Sequence, residues 1–121
     1  MAQIEKKKVV IADDHIQTVV NIANFLDFRG IKTFQAYNMK DSIELCKKEK
    51  PDLLIVDIKM YGIINGECNI EKEIPQQKIL FLASENEPKK VKCRNSLGII
   101  SKPVDNEALL VKVKKILKIL E

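Results

Sequence analysis

The chain has 121 residues, 45% of them hydrophobic and 31% charged, which is one domain's length, able to bury about two thirds of the surface its unfolded chain exposes. No apolar run approaches the ~18 residues that cross a bilayer, and the opening MAQIEKKK lacks the apolar stretch of a secretion signal, so no membrane contact and a cytoplasmic home are expected. The net charge of +4 comes from scattered lysines, with only two arginines and no aromatic-basic module, which points to a solvated lysine surface and away from direct nucleic-acid binding.

In chain order, residues 9–12 (VVIA) are continuously apolar, as in a strand covered on both faces. Residues 15–28 follow as a helix: Ile16, Val19, Val20, Ala23 and Leu26 recur at spacings of three and four, and Gly30 stands where it would stop. Residues 31–36 (IKTFQA) mix polar and apolar positions, which fits an edge strand. A helix over 40–49 carries Ile43 and Cys46 and ends before Pro51. Residues 53–56 (LLIV) form the third strand, and a short, poorly patterned helix is expected over 67–73. Residues 79–83 (ILFLA) are the fourth strand, followed by a helix beginning near Pro88 with Val91 and Cys93 as its only apolar anchors. The short segment 97–100 (LGII) suits the other edge. Asp105 can cap the last helix, where Leu109, Val113, Leu117 and Leu120 form an apolar stripe and Lys114, Lys115 and Lys118 point mainly away from it.

Strand–helix alternation repeated five times predicts an α/β fold: a doubly wound five-stranded parallel sheet with five helices on its two sides. No linker, repeat or low-complexity segment divides the chain, so residues 1–121 are expected to be a single domain with no output domain. Cys46, Cys68 and Cys93 are far apart and form no C-x-x-C pair, and His15 has no partner histidine. Three buried, reduced thiols are expected, and no zinc site.

Ligands of such sheets bind beyond the carboxyl ends of the strands. Asp13 and Asp14 follow the first strand and Asp57 follows the third, so neighbouring strands would bring three carboxylates into one pocket. They raise one another's pKa unless a cation intervenes. Magnesium, which takes oxygen ligands and keeps places for water and phosphate, fits that requirement. A carboxylate beside it can accept a phosphoryl group while the metal neutralises the transferred oxygens. Asp13 and Asp14 would serve the metal and Asp57 would be the acceptor. Lys102, in SKPVD after the fifth strand, would pair with Asp57 or with a phosphoryl oxygen, and a cis Lys102-Pro103 peptide would aim it inward. Taken singly, aspartates after strands usually cap helices and lysines are usually just exposed. His15 most simply starts the first helix beside the acid pair.

From VVIADDH through LLIVDIKM to SKPVD and the final helix, the chain resembles the receiver domain of two-component response regulators over nearly its whole length. The resemblance implies the flavodoxin-like strand order 2-1-3-4-5, which places the mixed second and short fifth strands at the edges. It also implies that Asp57 takes phosphate from a histidine kinase or phosphotransfer protein. Mg²⁺ would be held by Asp13, Asp57 and the backbone carbonyl of Lys59, with Asp14 assisting at least through water. Such a domain is no enzyme beyond its self-catalysed phosphorylation and hydrolysis. Output would pass to a separate downstream protein, and a homodimer through the fourth and fifth helices is a further expectation of the stand-alone form.

Three features depart from the family pattern. The Thr or Ser expected at the end of the fourth strand falls on Ala83 by apolar count, with Ser84 next and able to take the role after a one-residue shift. Ile99 stands where a switching aromatic ring is usual. The loop MYGIING has Tyr61 in place of proline, and Asn65-Gly66 comes one residue late. These departures support an alternative, a pseudo-receiver acting as a phosphate-independent protein-binding module. A haloacid-dehalogenase-like phosphatase would need a second Asp two residues beyond its nucleophile, where this chain has His15 or Lys59. A flavin-binding flavodoxin would need a phosphate-cradling loop where the acid pair stands.

Overall fold

A computed structural model of the chain describes residues 6–61, 72–87, 91 and 93–119. Its strands are β1 (Lys8–Ala12), β2 (Lys32–Ala36), β3 (Leu53–Asp57), β4 (Ile79–Ala83) and β5 (Ser96–Ser101). They form one five-stranded sheet in the order β2-β1-β3-β4-β5, with every pairing parallel. Three α-helices are seen among the described residues: α1 (Ile16–Phe28), α2 (Met39–Glu49) and α3 (Asn106–Leu117). A 3-10 turn, Ile58–Tyr61, follows β3. The two further helices expected from sequence fall largely on residues 62–71, 88–90 and 92, which lie outside the described residues, as do Cys68, the Asn65-Gly66 pair and Leu120. Val91 and Cys93 are described and lie in no helix, although both still pack on the core. Cys93 is only half-buried, so the expectation of a fully interior thiol fails there.

Alternation along the strands splits the core into two layers. Val9, Ile11, Ile55, Leu80 and Leu82 face α1 and α3, whereas Val10, Val56 and Phe81 face the side of α2. The central strands β3 and β4 are buried at every position, as their unbroken apolar runs predict, and the edges β2 and β5 are not.

Helix ends follow local chemistry. Gly30 adopts φ +84° and closes α1 in a Schellman motif, its N–H donating to Asp27 O and that of Ile31 to Leu26 O. The apolar face of α1 is Val19, Ile22, Ala23 and Leu26; Ile16, expected on that stripe, is 61% exposed. Asn38 caps α2 by accepting from Asp41 N–H, and the small polar Ser42 is buried on its inner face beside Cys46. Asp105 caps α3 by accepting from the N–H groups of Glu107 and Ala108. None of the helices among the described residues is long and apolar enough to cross a membrane.

Candidate functional site

The sheet register builds the site. Ala12 lies opposite Val56, so the residues that follow, Asp13 and Asp57, leave neighbouring strands at the same level. Asp13 N–H donates to Ala36 O at 3.2 Å, carrying the β1–β2 ladder one residue further and fixing that aspartate at the strand's end. Its Oδ1 accepts the N–H of His15 at 3.0 Å, which ties the start of α1 to the pocket. Asp13 and Asp57 are buried, whereas Asp14 is exposed. Each of the three nonetheless offers an oxygen within 4.8 Å of the others.

On the far side, Lys102 N–H donates to Ala83 O at 2.8 Å, extending the β4–β5 pairing past its last strand residue, and the Lys102-Pro103 peptide is cis. The Lys102 ammonium reaches back across the sheet end, 2.7 Å from Asp13 Oδ2 and 2.9 Å from Asp57 Oδ1. Apart from this ion pairing, those two oxygens have no hydrogen-bond partner among the described residues.

The charges respond to this packing. Burial pushes the Asp57 carboxyl above its usual range; Lys102 opposes that rise, and the charges of Asp13 and Glu87 add to it. Burial pulls the Lys102 ammonium down, but its contacts with Asp13 and Asp57 outweigh this and hold it above the ordinary lysine value. Among the described residues one ammonium thus faces three carboxylates, which leaves their pocket short of positive charge. All of its side-chain anionic donors are oxygens, and two are buried without a neutral partner. This donor set suits a hard divalent cation such as Mg²⁺ and does not suit zinc or copper.

The other expected residues separate clearly. Ser84 is half-buried and lines a cleft of about 790 Å³ together with His15, Thr18 and Lys102. Ala83 is buried in the core layer that contains Val56 and Phe81. Of the two candidates at the end of β4, Ser84 shares this cleft with Lys102, whereas Ala83 meets the lysine through its backbone carbonyl. Lys59 lies in the 3-10 turn after β3 with its side chain exposed. Ile99 stands in register with Phe81 and packs, partly buried, on the same core layer as Ala83. His15 is the N-cap residue of α1, and its ring Nδ1 lies 2.6 Å from Thr18 Oγ1. Sequence reasoning missed Glu87, whose carboxylate accepts the Ser84 N–H at 2.7 Å. The signal was present in the spacing of SENE, since S-x-x-E is the pattern in which a glutamate reaches back to a backbone amide.

A family model described as the response regulator receiver domain matches residues 9–114. The chain belongs to that family. Similar proteins include PilH of Pseudomonas aeruginosa, 26% identical over 117 residues that span 91% of this chain and 97% of the relative. Sporulation initiation phosphotransferase F of Bacillus subtilis is 25% identical over 116 residues, 92% of this chain and 94% of the relative. Among solved structures, the N-terminal domain of a response regulator/sensory box/GGDEF protein from Carboxydothermus hydrogenoformans superposes with a TM-score of 0.74 at 25% identity, covering 93% of this chain and 94% of that one. A two-component response regulator from Clostridium difficile shares the fold with a TM-score of 0.77 at 22% identity, covering 94% and 98% of the two chains. This receiver is accordingly a module of two-component signalling, a class of phosphoacceptors and not of classical enzymes. Receivers bind Mg²⁺ at an acidic pocket and meet histidine kinases or phosphotransfer proteins; here Asp13, Asp14 and Asp57 form such a pocket.

Proposed function

We propose that Asp57 is the phosphoacceptor of this receiver, loaded in the cytoplasm from the phosphohistidine of a histidine kinase or phosphotransfer protein, and that the signal leaves through contacts with a downstream protein. The observation that carries this reading is the pair of buried carboxylates bridged by a single ammonium at the carboxyl end of the sheet. In the transfer, an Asp57 carboxylate oxygen bonds to phosphorus while the bond from phosphorus to the donor nitrogen breaks. That nitrogen leaves with the electron pair, and one negative charge at Asp57 becomes about two.

Asp13 and Asp57, with Asp14 through water and the Lys59 backbone carbonyl, are the groups to hold Mg²⁺. When bound there, the ion neutralises charge on the transferred oxygens. Lys102 then exchanges one carboxylate for a phosphoryl oxygen, a charge-assisted contact that keeps the new anion paired. Ser84 can offer its hydroxyl from the neighbouring cleft, whereas the methyl of Ala83 offers none.

Acetyl phosphate tests the reading directly. The purified protein should gain one acid-labile phosphoryl group in the presence of Mg²⁺, and lose that capacity on adding EDTA or on Asp57→Asn. Failure of the wild-type protein to load under these conditions refutes it. The pseudo-receiver reading draws on Ala83 and Ile99, both packed on one core layer without a hydroxyl or a ring to move. It requires partner binding unchanged by loading.

A further inference from the structure

Two lysines occupy left-handed backbone positions that favour glycine. Lys50 (φ 48°) and Lys118 (φ 56°) are the C-caps of α2 and α3, and among the described residues no other non-glycine has a positive φ. A cation after the last turn suits a helix dipole. That need is already met, since α2 carries Lys47 and Lys48 in its last turn and α3 carries Lys114 and Lys115. Both caps lie at the amino end of the sheet, away from Asp13 and Asp57, where Lys7 and Lys78 directly precede β1 and β4. The backbone of all four is fixed: Lys7 O accepts Lys32 N–H at 2.9 Å and Lys78 O accepts Leu54 N–H at 2.9 Å. Lys50 N–H donates to Cys46 O at 3.0 Å, and Lys118 N–H to Lys115 O at 3.3 Å.

These lysines rim two clefts of about 490 and 340 Å³ that meet at Pro51 and Gln76, with Ile74 and Leu117 among their apolar lining. Gln77 ties the strand starts together there, its side-chain amide donating to Pro51 O at 3.2 Å and to Lys78 O at 3.1 Å. The acids of the lining are engaged: Glu73 pairs with Lys47 at 3.3 Å, and Asp52 accepts the Lys8 N–H at 2.8 Å. Lys7, Lys50, Lys78 and Lys118 are exposed and form no ion pair among the described residues. We propose that this basal groove docks an acidic, partly apolar peptide segment of a partner protein. A small anion on the floor would face the carboxyl ends of two helices, which disfavour negative charge. A flat lipid surface cannot follow the clefts. An extended segment can set carboxylates on the ammonium tips and apolar side chains on Pro51, Ile74 and Leu117. The inference rests on no step at Asp57, because the groove lies at the opposite end of the sheet.

The test uses the full chain and a fluorescent synthetic peptide of repeated Glu-Glu-Leu units, followed by anisotropy. The Lys50→Gly/Lys118→Gly double variant should bind about tenfold more weakly at low ionic strength, with the difference shrinking in about 1 M salt. Its urea midpoint should equal or exceed that of wild type, because glycine adopts these φ values without strain. Lost binding is then a loss of charge and not of fold. Amide shifts on adding the peptide should centre on Lys7, Lys50, Gln76, Lys78 and Lys118. Asp57→Asn should bind as wild type does, which keeps this surface distinct from the acceptor. Equal binding by the double variant, a fall in its midpoint, or shifts centred on Asp13 and Lys102 overturns the proposal. So does binding of phosphatidylserine vesicles without binding of the peptide, which makes the partner a membrane.

Discussion

Replacing Lys102 with Met keeps a long apolar stem and removes the ammonium that stands 2.7 Å from Asp13 and 2.9 Å from Asp57. The two carboxylate side chains are 0% and 4% exposed, so water cannot take over the vacated contacts without opening the pocket. Removing one partner of a buried ion pair costs roughly 3–5 kcal/mol. The Lys102 side chain is itself 21% exposed, and Asp57, already raised by burial, can relieve the repulsion by taking up a proton. Both facts favour the lower end, a loss of about 3 kcal/mol. With a urea slope of about 1.5 kcal/mol/M, the unfolding midpoint in EDTA should fall by about 2 M. Mg²⁺ at a hundredfold excess over its dissociation constant should return about 2.7 kcal/mol, because two unpaired carboxylates then bind only in the folded state. Urea titration followed by far-UV circular dichroism, with EDTA and with Mg²⁺, gives both numbers. A midpoint in EDTA within 0.3 M of wild type (about 0.5 kcal/mol at that slope), or a variant indifferent to Mg²⁺, would refute the view that Lys102 neutralises a pocket waiting for a dication.

Other consequences are directly measurable. Asp57→Asn removes a carboxylate that burial and Asp13 oppose more strongly than Lys102 favours it, so its urea midpoint in EDTA should exceed that of wild type while phosphoryl loading disappears. Asp105→Ala deprives two amides at the start of α3 of their acceptor and should cost about 1 kcal/mol, with Asp105→Asn recovering most of it. Burial pushes the Cys46 thiol from 9.0 up to about 12. Above pH 9.0 the unfolded chain loses this proton while the folded one keeps it, so the unfolded state binds fewer protons and is favoured. Stability should therefore fall by about 1.4 kcal/mol per pH unit from this residue alone, and Cys46→Ala should remove that part of the slope. In the native protein at pH 8, Cys46 should resist iodoacetamide, in contrast to its rapid labelling in urea.

The sheet was legible because polarity and length agree with position. IKTFQA is mixed in polarity and LGII is short, and they form the edges β2 and β5. The acid pocket was legible for a related reason: a charge that ends an apolar run must emerge at a strand terminus, so Asp13 and Asp57 had to meet once β1 and β3 paired. The residue pattern alone treats Asp13 and Asp14 alike; only the family resemblance gives them different roles. That division comes from Asp13 being held to Ala36 O and to the His15 amide, which turns the next carboxylate outward. The face of α1 was also misjudged in part. Ile16 fits the helical period yet lies a turn before the buried residues, while Ile22 fits it equally well and is buried. Glu87 escaped notice because a carboxylate bound to a backbone amide looks, in sequence, like any solvated loop acid.

Parallel pairing also dictates which kinds of change this receiver can absorb. Ala12 opposite Val56 and Asp57 opposite Leu82 are relations of count, independent of which aliphatic side chain fills the interior. Exchanges among Val, Ile and Leu within β1, β3 and β4 alter volume by a methyl or so and leave both aspartates where they emerge. Deleting or adding one residue inside β1 or β3 turns every later side chain of that strand to the opposite face and carries its aspartate out of the pocket. Drift in composition is cheap here, and drift in length is lethal to the chemistry.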